Sequence, residues 1–495
     1  MHEEPRALTP ERRASTWLGW AAMALAPLAL MLLAWLMSGQ NPFSALPVWA
    51  DEVSAWRELY TWNAVGLGGG YAGLLEEVAT RGTLGVDGLT PVLLYGWFVK
   101  LFGLAPNTVV WCNIVWLTLA AIVFCALVKP QPKVAFTVAG LTVAFVPLFL
   151  YCATSMTELF GYALALIYLA LLLKGAREAR GWPLALCFVL VAFGTLCRTL
   201  YWLLNIPLIL VYIRKRPGFV RAALLCLSAL LVGAGCMAVN LTYEAPNAQS
   251  FMYHLLRERD VGIFVNMILS HTKANLVDYF TRTASPMECA LRWLYMLVTA
   301  ACLAGAFLPA KRPGQRLELL GCAGLLLCAF GFVNMFYETG DWNDFRTLSP
   351  FLWLVLAFLA ARPRPLIPRA ALAASVAMLA VMLALPPVGA YSDANRFSHP
   401  QPDAELSAAI AEIVYEPDAQ NPLTNTVRLD VNTFQAAREL DPGLGLQYGW
   451  FTTETTGKSR WILTDHLKCT VNGYERVADT GGYKVYRLIA SYEED

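Results

Sequence analysis

The sequence predicts a mainly α-helical protein: a bundle of about eleven membrane-spanning helices, followed by a small C-terminal α/β domain outside the membrane. Two observations lead to this prediction. Of the 495 residues, 57% are hydrophobic and 15% are charged, whereas soluble domains carry about 25% charged residues. Basic residues also collect in short clusters between long apolar runs. The bilayer is therefore an expected partner, and the net charge of +1 gives no reason to expect nucleic acid.

The basic clusters predict the orientation of the chain, because cytoplasmic loops retain lysine and arginine. The first apolar run, residues 17–37, is too long for the apolar core of a cleavable signal peptide. Later apolar runs fit hairpins of two helices, and one last span, residues 370–387, takes the chain out. The N-terminus is then cytoplasmic and the C-terminus lies outside. The six clusters are Arg12 and Arg13; Lys129 and Lys133; Lys174, Arg177 and Arg180; Arg214, Lys215, Arg216 and Arg221; Lys311, Arg312 and Arg316; and Arg362, Arg364 and Arg369.

Two regions lie outside this regular pattern of spans. Residues 38–106 form a long outer loop, in which the short apolar stretch 91–102 reads as an interfacial helix. Loops of this length are usually functional. A membrane module of residues 1–390 precedes a polar domain of residues 391–495. In that domain we expect a helix and three strands, at residues 402–414, 427–431, 459–464 and 483–488.

Three carboxylates at the outer side are candidate catalytic groups. Asp51 and Glu52 are adjacent at the end of the first span, where two carboxylates near lipid are costly unless they have a function. Glu158 begins a helix after the outer turn of the second hairpin. The alternatives are a solvated loop for the pair, and for Glu158 an acid favoured by the helix dipole.

Cations lie on the same side. Arg198 stands in an apolar run at the outer turn of the third hairpin, and it needs either a ligand anion or a structural carboxylate. Arg346 follows the ninth helix; it either pairs with Asp341 or Asp344 or faces an anion. The outer loop of residues 243–285 adds Arg257 and Arg259.

These residue types fit glycosyl transfer from a lipid-phosphate donor. A carboxylate supplies the base for an acceptor hydroxyl, and arginines hold the charge of the departing phosphate. Phosphate leaves as a stable anion without a general acid, and one displacement inverts the anomeric carbon. We predict Asp51, Glu52 and Glu158 as catalytic residues, with Asp51 first. Phosphate binding is predicted for Arg198, Arg346, Arg257 and Arg259, and acceptor or substrate binding for Arg57, Tyr60, Tyr253, His254 and Asp341.

The order of these features resembles the GT-C superfamily of integral-membrane glycosyltransferases, especially its protein-mannosyltransferase and aminoarabinose-transferase branch. The resemblance covers residues 17–387 and implies a GT-C fold, a polyprenyl-phosphate monosaccharide donor and a glycan, lipid or protein acceptor. Many relatives carry a histidine-containing run where this chain has residues 88–91, and that histidine is missing here. The resemblance therefore leaves a divalent cation open, and it implies no other cofactor. The residues that carry the resemblance are Asp51, Glu52, the helix of residues 91–97, Glu158, Arg198 and the segment 345–350.

A transporter or flippase of a lipid-linked or envelope precursor is the alternative. Transporters place charges near the bilayer midplane and often show repeated halves, whereas here the charges collect at one face and no repeat is found. A third interpretation is a sensor or assembly factor that acts through the C-terminal domain. The predicted location is a bacterial inner membrane with that domain in the periplasm, although an endoplasmic-reticulum membrane also fits.

Overall fold

A computed structural model of the chain describes residues 10–39, 41–44, 52, 55–56, 58–59, 62–63, 66, 88–105, 107–178, 181–243, 259–281, 286–309, 314–337, 345–362, 366–384, 403–414, 427–430, 447–449, 461–464 and 473–489. Before residue 390 the described residues form fourteen α-helices. These are α1 (Pro10–Ser38), α2 (Thr90–Phe102), α3 (Thr108–Val128), α4 (Pro132–Ala144), α5 (Val146–Tyr151), α6 (Glu158–Arg177), α7 (Trp182–Cys197), α8 (Asn205–Lys215), α9 (Phe219–Tyr243), α10 (Val261–Thr281), α11 (Pro286–Phe307), α12 (Gln315–Phe336), α13 (Ser349–Ala360) and α14 (Leu366–Ala384). Short 3₁₀ helices lie at Pro42–Ser44 and Thr199–Leu204.

Six of these helices, α1, α3, α6, α9, α11 and α12, are long and apolar enough to cross a bilayer. Five other apolar helices among the described residues, α2, α4, α7, α13 and α14, are shorter. α4 and α5 follow each other with a break before Pro147, whose nitrogen cannot donate a helical hydrogen bond. The 3₁₀ helix at Thr199–Leu204 leads directly into α8. The chain is therefore an integral membrane protein with the mainly helical architecture that the sequence predicts.

Two further helices, α2 and α10, lie in segments that the sequence predicted as outer loops. α2 has 13 residues, about 20 Å of helix, which is shorter than the apolar core of a bilayer. The position of α2 at the membrane–water interface stays a prediction. α10 has 21 residues and lies within residues 243–285, where the sequence predicted a loop. It packs against α12, with the rings of Tyr279 and Phe330 at 5.0 Å between centroids.

α6 is the central helix of the bundle. Of its most apolar stretch, 83% is buried, against 6% for α9. α6 packs against α3, α7 and α13. Gly161 allows this close packing, because an added Cβ would overlap the hydroxyl of Tyr201. Glu158, the first residue of α6, is thus held at one end of the most buried of the six long apolar helices.

An ion-pair network ties the opposite end of the bundle. The carboxylate of Glu318 on α12 lies 3.1 Å from Arg214 of α8 and 3.1 Å from Arg362, which follows α13. Its side chain is 7% exposed. Arg362 also stacks on Phe358, 4.3 Å from the ring centroid. Both arginines belong to basic clusters that the sequence predicted on one side of the membrane. The structure places them around one carboxylate, that of Glu318.

The C-terminal region contains α15 (Ala404–Val414) and the strands β1 (Val427–Asp430), β2 (Gln447–Gly449), β3 (Trp461–Thr464), β4 (Tyr474–Thr480) and β5 (Tyr483–Leu488). The sheet has the order β2-β1-β3-β5-β4. β1 pairs in parallel with β2 and β3, and β5 pairs antiparallel with β3 and β4. The helix and the three predicted strands are confirmed, while β2 and β4 were not predicted. The boundary near residue 390 stays a prediction.

Candidate active site

The predicted site residues Glu158, Arg198 and Arg346 meet at the N-terminal end of α6. Oε1 of Glu158 lies 3.2 Å from Nη1 of Arg198 and 3.4 Å from Nε of Arg346. The Glu158 side chain is 5% exposed, and Arg198 donates a hydrogen bond to it. One carboxylate therefore bridges two arginines that come from different turns of the chain. We call these three residues the arginine–glutamate cluster.

The position of Arg198 follows from how α7 ends. Arg198 is the C-cap of α7 and has extended backbone angles, φ −152° and ψ 118°. The neighbouring carbonyl of Cys197 accepts a hydrogen bond of 2.6 Å from Oγ1 of Thr90, which begins α2. The carbonyl of Arg198 accepts a hydrogen bond from the backbone N–H of Tyr201 at 2.9 Å. These bonds fix the backbone on both sides of Arg198.

The position of Arg346 depends on a tight turn before α13. Phe345 has a positive φ of 54°, a conformation that bulky residues rarely adopt. Its carbonyl accepts the backbone N–H of Ser349 at 2.7 Å. The hydroxyl of Tyr162, one turn after Glu158 on α6, donates to Oγ of Ser349 at 2.7 Å. The turn that presents Arg346 is thus attached to the helix that presents Glu158.

Glu52 lies next to the same end of α6. It is 1% exposed, and its Oε1 accepts a hydrogen bond of 2.7 Å from the backbone N–H of Ser155. Ser155 belongs to the turn that precedes α6. A second contact from α3 supports this turn, because Nδ2 of Asn113 donates to the carbonyl of Met156 at 3.0 Å. Glu52 therefore contacts the turn at the start of the central helix.

The charges of the arginine–glutamate cluster favour an anionic ligand. Within the three residues of the cluster, two guanidinium groups stand against one carboxylate, a formal sum of +1. The arginine side chains are 26% and 22% exposed, so both remain accessible. Oε2 of Glu158 is buried and has no hydrogen-bond partner in the part of the chain that the structure describes. Of the two alternatives for Arg198, a structural carboxylate is present, and the exposed quarter of the Arg198 side chain leaves room for a ligand anion.

Most of the other predicted site residues lie outside the described residues. Arg259 is described; it is exposed, has a positive φ of 62°, and shows no contact with the arginine–glutamate cluster among the residues of known position. The described ranges contain no group of three or more His, Cys, Asp or Glu side chains placed to hold a metal ion. The residues outside the described ranges are Asp51, Arg57, Tyr60, Tyr253, His254, Arg257 and Asp341.

Sequence analysis did not single out the neutral residues that support the cluster. Tyr162 and Ser349 join α6 to the turn of Arg346. Tyr201 lies against Gly161 beside α6. The one sequence signal was spacing, since Gly161 and Tyr162 are three and four residues after Glu158 and share its side of the helix. The partners of these residues come from distant segments, which spacing does not identify.

Comparison with known proteins supports the fold. No family model and no curated protein matches the sequence. The crystal structure of ArnT from Cupriavidus metallidurans bound to undecaprenyl phosphate matches with a TM-score of 0.52 at 12% identity, over 97% of this chain and 99% of that chain. The apo structure of the same protein matches with a TM-score of 0.43 and 13% identity. The chain therefore has the fold of ArnT, an aminoarabinose transferase of the GT-C superfamily, over nearly its whole length.

Proposed function

We propose that this protein is a membrane glycosyltransferase that moves a monosaccharide from a polyprenyl-phosphate donor to an acceptor hydroxyl, with inversion. The observation that supports this proposal most is the arginine–glutamate cluster, in which two partly exposed arginines lie together at one end of the bundle. The fold supports it further, because the matching ArnT structure contains undecaprenyl phosphate.

The cluster suits a phosphate whose charge grows during the reaction. A sugar-linked polyprenyl phosphate is a diester with one negative charge, and the released monoester carries up to two. Arg198 and Arg346 therefore stabilise the leaving group more strongly than the donor, which is the condition for lowering the barrier. Glu158 holds the two guanidinium groups together before the donor arrives and competes with the phosphate for them.

The proposed reaction is a single displacement. The acceptor oxygen attacks the anomeric carbon and forms the new glycosidic bond. The bond between that carbon and the phosphate oxygen breaks, and its electron pair stays on the phosphate. The acceptor proton passes to Asp51, the proposed base. Glu52, held by the Ser155 N–H, supports the loop that carries Asp51.

The proposed setting is a bacterial inner membrane, with the cluster and the C-terminal domain on the periplasmic side. The acceptor is a hydroxyl of an envelope glycan, lipid or protein, and the C-terminal domain would select it. A divalent cation remains a candidate cofactor, to be tested by adding a chelator to the transfer assay.

Lipid binding tests the phosphate site. Purified protein, titrated with polyprenyl phosphate and followed by native mass spectrometry, should bind one molecule. Arg198→Ala and Arg346→Ala should each weaken binding at least about tenfold, because each removes a charged hydrogen bond worth about 1.5–3 kcal/mol. Arg198→Lys should retain part of the affinity, since a point charge still meets a phosphate. Arg221→Ala is the control, because Arg221 is exposed on α9.

Unchanged affinity in both alanine variants would place the phosphate elsewhere. The transporter alternative makes a different prediction. In sealed vesicles, a flippase would move a fluorescent polyprenyl-phosphate lipid between leaflets without consuming the sugar donor. Such movement without any sugar transfer would contradict the proposed function.

A further inference from the structure

A cavity lies at the end of the bundle opposite the arginine–glutamate cluster. Its volume is about 600 Å³, which is within the usual range for ligand sites. α7, α8 and α9 line it, and we call it the α7–α8–α9 cavity. Its apolar walls include Leu184, Ala185, Phe188, Val189, Leu208 and Leu225.

The position of this cavity separates it from the candidate active site. Lys215 lines it and donates to the carbonyls of Gly175 and Glu178, at the C-terminal end of α6. Glu158 begins α6, which has 20 residues. A helix of that length is about 30 Å long, roughly the thickness of the apolar part of a bilayer. The two sites therefore lie near opposite membrane surfaces.

The charge at the mouth of the cavity is positive. Arg216 lines the cavity, is exposed, and has its guanidinium beside Gly181, the residue before α7. The one acidic neighbour in the described residues there is Glu178, which pairs with Lys174 at 2.7 Å. Lys215 and Arg216 thus face the cavity without a carboxylate of their own in the described part of this surface.

The surroundings identify the class of ligand. α9 is 6% buried in its apolar stretch, so this side of the bundle faces the bilayer. A molecule that enters from the bilayer, fills an apolar cavity and ends at basic side chains has an acyl chain and an anionic headgroup. Basic pockets between helices on the cytoplasmic side are typical sites for anionic lipid headgroups.

We propose that the α7–α8–α9 cavity binds an anionic glycerophospholipid of the adjacent leaflet. One acyl chain lies along Leu184, Phe188 and Leu208, and the headgroup phosphate lies at Arg216 and Lys215. This site is independent of the transferase proposal, because it uses none of the residues assigned to that reaction.

Photo-crosslinking tests the proposal on the purified full chain. The probe is phosphatidylglycerol with a diazirine in one acyl chain, and peptides are mapped by mass spectrometry. We expect labelling of residues 184–189, with competition by unlabelled phosphatidylglycerol and much less by phosphatidylcholine. Arg216→Gln should reduce labelling about fivefold, the contribution of one basic residue near an anionic headgroup. Arg221→Gln should leave it unchanged.

A second pair of variants tests the apolar part. Ala185→Trp places a ring in the cavity and should abolish labelling. Leu186→Trp is the matched control, because Leu186 is the next residue of α7, is 48% exposed and does not line the cavity. Equal competition by phosphatidylcholine, stronger competition by polyprenyl phosphate, or unchanged labelling in Arg216→Gln and Ala185→Trp would each overturn the proposal.

Discussion

Glu158 determines the properties of the candidate site, because its carboxylate contacts both arginines. If a donor phosphate competes with this carboxylate, removing its charge should change binding and turnover in opposite directions. We expect Glu158→Gln to tighten binding of polyprenyl phosphate about tenfold, since opposite charges about 4 Å apart near a protein surface attract strongly. Turnover should fall at least tenfold, because the two arginines then repel each other and product leaves slowly.

Titration with polyprenyl phosphate and initial-rate measurements check this pair of effects. Glu412→Gln, on the exposed side of α15, is the control. Weaker phosphate binding in Glu158→Gln would contradict the competition between carboxylate and phosphate.

Variants of Glu52 distinguish a structural role for this residue from a role as catalytic base. Its oxygen accepts a backbone N–H of Ser155, and a glutamine carbonyl accepts the same bond. We expect Glu52→Gln to keep most of the activity and Glu52→Ala to lose it, because alanine leaves the buried N–H unpaired at a cost of about 1–3 kcal/mol. Steady-state kinetics of the two variants decide. A loss in Glu52→Gln as large as in Glu52→Ala would instead make the Glu52 charge itself catalytic.

At the residue scale, the sequence identified the charged residues of the candidate site. It did not identify which of them pair with each other. Arg198 stands inside an apolar run, where a charge is conspicuous, and Glu158 and Arg346 stand just before apolar runs. Their shared contact required turns from distant parts of the chain to meet. Arg346 has two nearby carboxylates in sequence, Asp341 and Asp344, which lie outside the described residues, and the structure adds a partner that the sequence did not suggest, Glu158 on another helix.

At the scale of elements, the close approach of Tyr201 to α6 positions the cluster. An added Cβ at Gly161 would overlap the hydroxyl of Tyr201. We expect Gly161→Ala to displace Tyr201 and the adjacent Arg198 turn, lowering the melting temperature by several degrees, in line with overpacking costs of about 1–3 kcal/mol. Tryptophan fluorescence during thermal unfolding measures this change.

Gly331→Ala on α12 is the matched control, because nothing lies within 4 Å of its added Cβ. Alanine in an open helical position should be neutral or stabilising. Equal melting temperatures for the two variants would contradict the packing argument.

Helices and strands were predicted correctly where the sequence has a long apolar run or a clear alternation of apolar and polar residues. The bundle helices and β5 follow those patterns. α10 was missed because polar residues such as Asn266, His271 and Lys273 interrupt its apolar pattern. β4 has an alternation in which only Tyr474 is fully buried, so its sequence gives little signal. Such an edge strand is recognised by its pairing with β5.

At the scale of the whole molecule, the outer loop and the C-terminal domain must share one side of the membrane if the domain selects the acceptor at the proposed site. The predicted count of ten crossings between them is even. In a variant without its native cysteines, Ser44→Cys and Ser491→Cys should react with an impermeant thiol reagent on intact spheroplasts. Arg316→Cys, in the first turn of α12 and in a basic cluster predicted to be cytoplasmic, should react only after permeabilisation.

The cysteine-free background is needed because Cys226, Cys289 and Cys328 are exposed among the described residues. Labelling of Ser491→Cys only after permeabilisation would overturn the shared side. The C-terminal domain could then not contribute to acceptor selection at the arginine–glutamate cluster.

The most direct test of the account is release of polyprenyl phosphate from polyprenyl-phosphate monosaccharides by purified protein, with envelope glycans and lipids as acceptors. Wild-type protein should release polyprenyl phosphate as sugar appears on an acceptor. Asp51→Asn should slow this at least ~100-fold, the usual contribution of a general base, as should the double change Arg198→Ala with Arg346→Ala. The proposed function would be contradicted if wild-type protein released nothing from a broad set of donors. It would also be contradicted if these variants turned over at the wild-type rate.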